Sequence, residues 1–301
     1  MKIQNLIFWT IFWGLAWTPL CDAQYQNIRS NQIFEFCYNF KFKSADSLLK
    51  VFNAESGGKD LVESNLLESN ILWWKIVSGN NDEKLKLQFY DRIYKSEKLI
   101  EAQKKFDHPL IFKTISMYGY LSRMDILSEN YFKAFFRIRK CIRYLKSSFG
   151  NETKYPFFFL TTGLYNYYRA SAGDSYPLLL PYLKLYPSGN KKTGISYLEK
   201  ASESPNKFLN TEAHYFLMKI YLDENKHINS LKYSEVLCQR FPGNGLFMYY
   251  KFLALLRSGR KNEAWLSMKT TLDSLKENPE LSPNQVQHFK NLMNKNWKEF
   301  S

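Results

Sequence analysis

Apolar residues recur at helical spacing through almost the whole chain, in blocks separated by short polar turns. The clearest block begins with Ala213, Phe216, Leu217, Ile220 and Tyr221, at i, i+3, i+4, i+7 and i+8, a spacing that lines one side of a helix. Asn210 or Thr211 is placed to cap that helix. A polar turn at residues 223–226 follows. Ser230, Ser234, Leu237 and Phe241 then repeat at i, i+4, i+7 and i+11, and the two serines let the second helix approach the first closely. Pro242, Gly243 and Asn244 end it, because proline cannot continue the ladder and glycine takes the left-handed turn. Residues 211–244 therefore read as one helix–turn–helix unit of 34 residues.

A second unit follows in the same register. Gly245 opens it, Gly259 falls at the turn, and Ala264 takes the place of Ser230. This pattern resembles the tetratricopeptide repeat, a 34-residue pair of helices with small residues at fixed positions and a proline near its end. Leu217, Tyr221, Leu237 and Pro242 match the expected positions and Ser230 falls in register at another, whereas Met218 stands where the family prefers glycine and Ser230 is serine where it prefers alanine. Farther upstream, the run Gly163–Tyr168, a proline-bearing loop and the run Gly194–Ser202 resemble exported bacterial tetratricopeptide-repeat proteins over residues 157–275. The resemblance implies an all-α, right-handed solenoid of antiparallel helical hairpins and an envelope location. It supplies no reaction and no catalytic residues.

The remaining blocks extend the same architecture. Residues 31–51 carry Phe34, Tyr38, Phe42 and Leu48 or Leu49 near helical spacing, and a glycine turn follows at 55–58. Helices are expected over 61–77 and 82–106. Asp107, His108 and Pro109 start another, with proline in its first turn. A turn at 128–130 leads to a helix whose expected buried side is Phe135, Ile138, Ile142 and Leu145. In the block after that, Phe157, Leu160, Leu164 and Tyr168 share a face, and Gly163 is expected to permit a close helix crossing, since glycine inside a helix costs about 1 kcal/mol. An insertion at 171–192 is too rich in proline for one helix and too apolar, through Leu178, Leu179, Leu180, Leu183 and Leu185, for a freely solvated loop. It either packs into the array or presents an apolar partner-binding edge. Ser282, Pro283, Asn284 and Gln285 form a capping box, and Val286, Phe289, Met293, Trp297 and Phe300 follow as one apolar stripe, as a terminal capping helix requires. The expected domains are a leader at 1–23, helical hairpins at 24–108, repeats at 109–282 and the cap at 283–301.

The first residues change the picture of where the chain works. Lys2 precedes a mostly apolar run at 6–20, and Cys21 and Ala23 put small residues ahead of Gln24, the pattern of a cleaved secretory signal. Cleavage leaves Cys37, Cys141 and Cys238, widely spaced within apolar helical patterns, so buried free thiols are expected; one bridge among them is compatible with the spacing. The chain is basic, with a formal net charge of +14. Its densest basic stretch is the helix beginning at 131, where Lys133, Arg137, Lys140 and Arg143 form a candidate patch for an anionic polymer or membrane surface, or else a solvated helix face. Export disfavours nucleic acid as the partner.

No catalytic apparatus is visible. His108, His214, His227 and His288 have no metal-ligand spacing, and there is no paired Cys-x-x-Cys, phosphate loop or nucleophile elbow. No cofactor is expected. The leading expectation is a non-enzymatic scaffold that binds a protein or peptide partner in the periplasm or outer envelope. By the resemblance, its groove would draw on the first helix of each repeat, and the candidate partner-binding residues are His214, Lys219, Lys251 and Tyr165 or Asn166. A binder of anionic envelope polymers or membrane is the alternative. A glycan-active enzyme rests only on the aromatic share of 17%. Oligomeric state is not written in the sequence.

Overall fold

The computed structural model describes residues 21–22, 25–26, 28–175 and 184–300. The apolar run of the expected leader and the leucines at 178–180 and 183 of the insertion lie outside them. Thirteen helices are present among the described residues: α1 (Ile28–Tyr38), α2 (Phe42–Ser56), α3 (Leu61–Val77), α4 (Glu83–Glu101), α5 (His108–Leu127), α6 (Tyr131–Leu145), α7 (Phe157–Ser175), α8 (Lys191–Ser202), α9 (Lys207–Asp223), α10 (His227–Arg240), α11 (Gly245–Arg257), α12 (Lys261–Glu277) and α13 (Pro283–Phe300). Two two-residue strands, Cys21–Asp22 and Tyr25–Gln26, are the other elements. Apart from these, the regular structure of the described residues is helical, and helices adjacent in sequence pack in pairs, as in a helical-repeat solenoid. It divides into two compact units, one built on 96–213 and one on 26–95 together with 214–301.

In the 96–213 unit the pairs are α5 with α6 and α7 with α8. Asp107 caps α5, its carboxylate accepting from the Leu110 amide at 2.9 Å, and Pro109 sits in the first turn as expected. The turn to α6 closes through Glu129 in the left-handed region (φ 59°) and the Asn130 amide donating to the Asp125 carbonyl. Ala134, fully buried, then lets α6 approach α5. All of α5 from Ile111 to Asp125 is buried, including Lys113 and Arg123. Gly163 and Gly194 bring α7 and α8 together. A methyl group on Gly194 would lie 2.6 Å from the Tyr167 amide nitrogen, and one on Gly163 would lie 3.1 Å from the Gly194 carbonyl oxygen.

In the two-segment unit the repeat register holds. Ser230 and Ser234 are fully buried, and the Ser230 hydroxyl donates to the Met218 carbonyl across the hairpin at 2.8 Å. Tyr221 and Tyr233 stack nearly parallel, 5.7 Å apart. Gly259 takes the left-handed turn (φ 78°) and Ala264 is buried opposite α11. The capping box of α13 forms, with the Ser282 amide donating to the Gln285 side chain at 2.9 Å, and α13 packs on α11 and α12 through Phe289 and Met293.

Three boundaries and one buried face differ from expectation. Residues 31–51 make two helices, because Phe40 adopts φ 54° and the Lys41 amide turns back to the Phe36 carbonyl. Helix α4 stops at Glu101, where the Ala102 and Gln103 amides close on the Lys98 and Ile100 carbonyls. Helix α9 begins at Lys207, capped by Asn206, whose side chain accepts from the Leu209 amide at 2.9 Å; Thr211 instead bonds back to the Lys207 carbonyl from inside the helix. Phe135 and Ile138 are only half-buried, and Cys141 takes a place on the buried side of α6.

The block expected at 24–108 holds α1 to α4. Its first helices share a unit with the C-terminal repeats. The Tyr38 ring meets Phe241 at 5.1 Å, Trp74 meets Phe247 edge-on at 5.9 Å, and Phe40 stacks on Phe289 at 6.1 Å. Asn244 donates to the Tyr38 carbonyl at 2.8 Å, and Gln285 donates to the Ser78 hydroxyl at 2.6 Å.

Candidate anion-binding face on α6

Helix α6 contains no acidic residue. Its buried side, Ala134, Cys141, Ile142 and Leu145, is held against α5, with the Cys141 thiol donating to the Ile115 carbonyl at 3.5 Å. Burial pushes the Cys141 thiol well above its ordinary pKa, so it is a packing residue. The cations occupy the rest of the helix, and the structure sorts them into two groups.

Arg137 and Lys140 face carboxylates on α4 and α5. Lys140 Nζ lies 2.9 Å from Glu97 Oε1 and 3.8 Å from Glu101 Oε1. Arg137 lies 3.8 Å from Glu97 and 3.9 Å from Asp125, and its side chain is only 18% exposed. Glu97 also accepts from the Tyr118 hydroxyl at 3.0 Å. Burial, and then the charge of Glu97, hold that phenol above its ordinary pKa. Two of the four cations of the predicted patch therefore serve the packing of this unit. Lys133 and Arg143 are exposed, and among the described residues neither makes an ion pair.

The second group lies along one line. Phe132, Phe136, Arg139, Arg143 and Lys146 stand at i, i+4, i+7, i+11 and i+14, opposite the buried side, and all five are exposed. Arg139 and Lys146 make no ion pair among the described residues either. Phe136, Arg139, Lys140, Arg143 and Lys146, with Tyr186 from the segment before α8, line an open depression of about 360 Å³. Among the described residues, no acidic side chain lines it. Within the basic stretch, Arg137 and Lys140 are paired with carboxylates, whereas Arg139 and Lys146 are not paired among the described residues. Helical periodicity from the buried Ala134 and Ile142 is the signal that separates them.

The five candidate groove residues are divided between the units. In the 96–213 unit, Tyr165 is buried and its hydroxyl donates to the Pro187 carbonyl at 2.6 Å. Burial pushes its pKa up to about 12. The Asn166 side chain donates to the Thr162 carbonyl and accepts from the Asn190 amide. Both hold the segment before α8 in place. In the other unit, Lys219 is buried with its ammonium 5.4 Å from the Tyr250 ring centre. His214 packs edge-on to Tyr233 at 5.7 Å, and Lys251 is half-buried on α11.

A second depression, about 320 Å³ and lined by Asn53, Asp60, Ser64, Glu68 and Arg92 among others, has charges of both signs, and Glu68 is paired with Arg92 at 3.0 Å. Among the described residues, no group of three or more His, Cys, Asp or Glu side chains is placed to hold a metal ion, and no helix is long and apolar enough to cross a membrane. Cys37, Cys141 and Cys238 are free thiols, the first two buried. Comparison with protein-family models, curated proteins and solved structures finds no match to this chain.

Proposed function

We propose that the chain is a non-enzymatic, tetratricopeptide-like helical-repeat protein that binds an anionic surface through α6. The observation that carries this reading is the line of cations Arg139, Arg143 and Lys146, which among the described residues make no ion pair and border a depression lined by no carboxylate. A surface cation whose role is solubility is ordinarily interspersed with acids, whereas these sit on a helix that has none. The chain's +14 formal charge draws anionic partners toward it from a distance. Its place of work is proposed as the exported envelope compartment, on the strength of the leader-like residues 1–23. The protein-groove reading gains less support, because Tyr165 and Lys219 are buried in internal contacts.

The test is retention on a sulfated-dextran matrix. The triple variant Arg139→Gln, Arg143→Gln, Lys146→Gln should elute at clearly lower salt than wild type, because exposed charge attraction is screened over about 8–10 Å. A Lys219→Gln, Lys251→Gln variant should elute with wild type. Equal elution of the triple variant and wild type would refute α6 as the binding face.

A further inference from the structure

Phe132 is 85% exposed and Phe136 58% exposed, one turn apart on the line that continues into Arg139, Arg143 and Lys146. Two phenyl rings standing in water gain nothing from a hydrophilic polyanion, and cations gain nothing from an apolar protein groove. One surface offers a partner to both: a bilayer with anionic headgroups, where rings enter the acyl boundary while arginine and lysine stay at the phosphates. We propose that α6 is a membrane-surface docking helix that lies flat on an anionic bilayer, with Phe132 and Phe136 inserted and Arg139, Arg143 and Lys146 on headgroup phosphates.

The charge pattern fits this occupant. Arg137 and Lys140 are paired with Glu97, Glu101 and Asp125, and Lys140 remains partly exposed where it lines the depression. Among the described residues, the cations on the outward line make no ion pair. Leu185, 72% exposed and next in sequence to Tyr186, and Leu127, exposed at the end of α5, are further exposed apolar residues of the same unit. The rings project from a helix anchored on its other side by Ala134, Cys141, Ile142 and Leu145, so insertion needs no unfolding.

This inference rests on α6 being the anion-binding face, and the experiment separates the two claims. The full chain is floated with vesicles of phosphatidylcholine alone or with about one-third phosphatidylglycerol, at low and high salt. A polarity-sensitive dye placed on Phe132→Cys, in a chain with Cys21 and Cys238 replaced by serine, reports on α6 independently of the N-terminal apolar run. The dye should shift to the blue with phosphatidylglycerol vesicles and not with phosphatidylcholine. Phe132→Ser with Phe136→Ser should weaken binding by about tenfold or more, since each ring contributes an apolar burial, and Arg139→Gln with Arg143→Gln should weaken it roughly fivefold per cation. Both pairs are exposed, and circular dichroism checks that each variant is folded. A dye that stays in water, with vesicle binding unchanged by the phenylalanine pair while sulfated dextran is still retained through α6, would overturn the membrane proposal and leave the anionic face standing. Loss of dextran and vesicle binding together in wild type would overturn both.

Discussion

Gly194 is a residue at which helix propensity and packing disagree. In an open helix, alanine in place of glycine stabilises by about 1 kcal/mol. Here the added methyl group would lie 2.6 Å from a backbone nitrogen of α7, so Gly194→Ala should instead lose about 1–3 kcal/mol in chemical denaturation. A stabilised variant would show that α7 and α8 can separate enough to admit a methyl group. Gly163 was legible from sequence because a lone glycine inside an apolar helix is conspicuous. Gly194 was not, because nothing local distinguishes it. His288 gives a second residue-scale prediction. Desolvation against the α3–α4 turn at Gly79 lowers its pKa from 6.5. The unfolded chain therefore binds the proton more readily than the folded one, and stability falls as pH drops through about 6.5 toward the lowered folded value. His227 is lowered too, by burial and then by Arg257. His288→Asn should flatten the loss of stability between about pH 7 and pH 5 without abolishing it, read from denaturation midpoints.

At the scale of elements, caps and turns decide where helices begin. The Asn244 carboxamide oxygen accepts from the amides of Leu246 and Phe247, both at 3.0 Å, while its nitrogen reaches the Tyr38 carbonyl. Asn244→Ala should therefore cost about 2–3 kcal/mol, more than the ~1 kcal/mol of an ordinary cap, because a buried carbonyl loses its donor as well. A loss no larger than that of an ordinary cap, in the same denaturation assay, would mean that water replaces the bond to Tyr38. The capping box at Ser282, the turn at Gly259 and the small residues at 230, 234 and 264 were legible because each is a local requirement. The break between α1 and α2 was not, since Phe34, Tyr38 and Phe42 keep helical spacing straight across it. The cationic face was half-legible: composition marked α6, but only the positions of Glu97 and Asp125, on other helices, tell which of its cations are already paired.

At the scale of the molecule, the two-segment unit joins parts of the chain about as far apart as its length allows. Hydrogen exchange should then protect α1–α3 and α10–α13 together, as one cooperative unit. Gln285→Ala, which removes the bond to Ser78, should raise exchange in residues 74–79 as well as in α13. Exchange raised in α13 alone would show that the two segments open separately. In sequence Tyr38 reads only as part of a local helical stripe, and Phe40 stands outside that stripe. Their partners lie some 200 residues onward, and such pairings leave no periodic trace in a single sequence.

That joining also sets a timetable. Phe40 leaves the ribosome roughly 10–50 s before Phe289, at synthesis rates of about 5–20 residues per second. Through that interval Tyr38, Phe40 and Trp74 have no final cover, and the nascent chain must be shielded from its neighbours or risk coalescing with them. The same delay keeps the early segment pliable until synthesis is nearly complete, so a chain threaded through a narrow channel would meet no prematurely closed fold to be pulled apart.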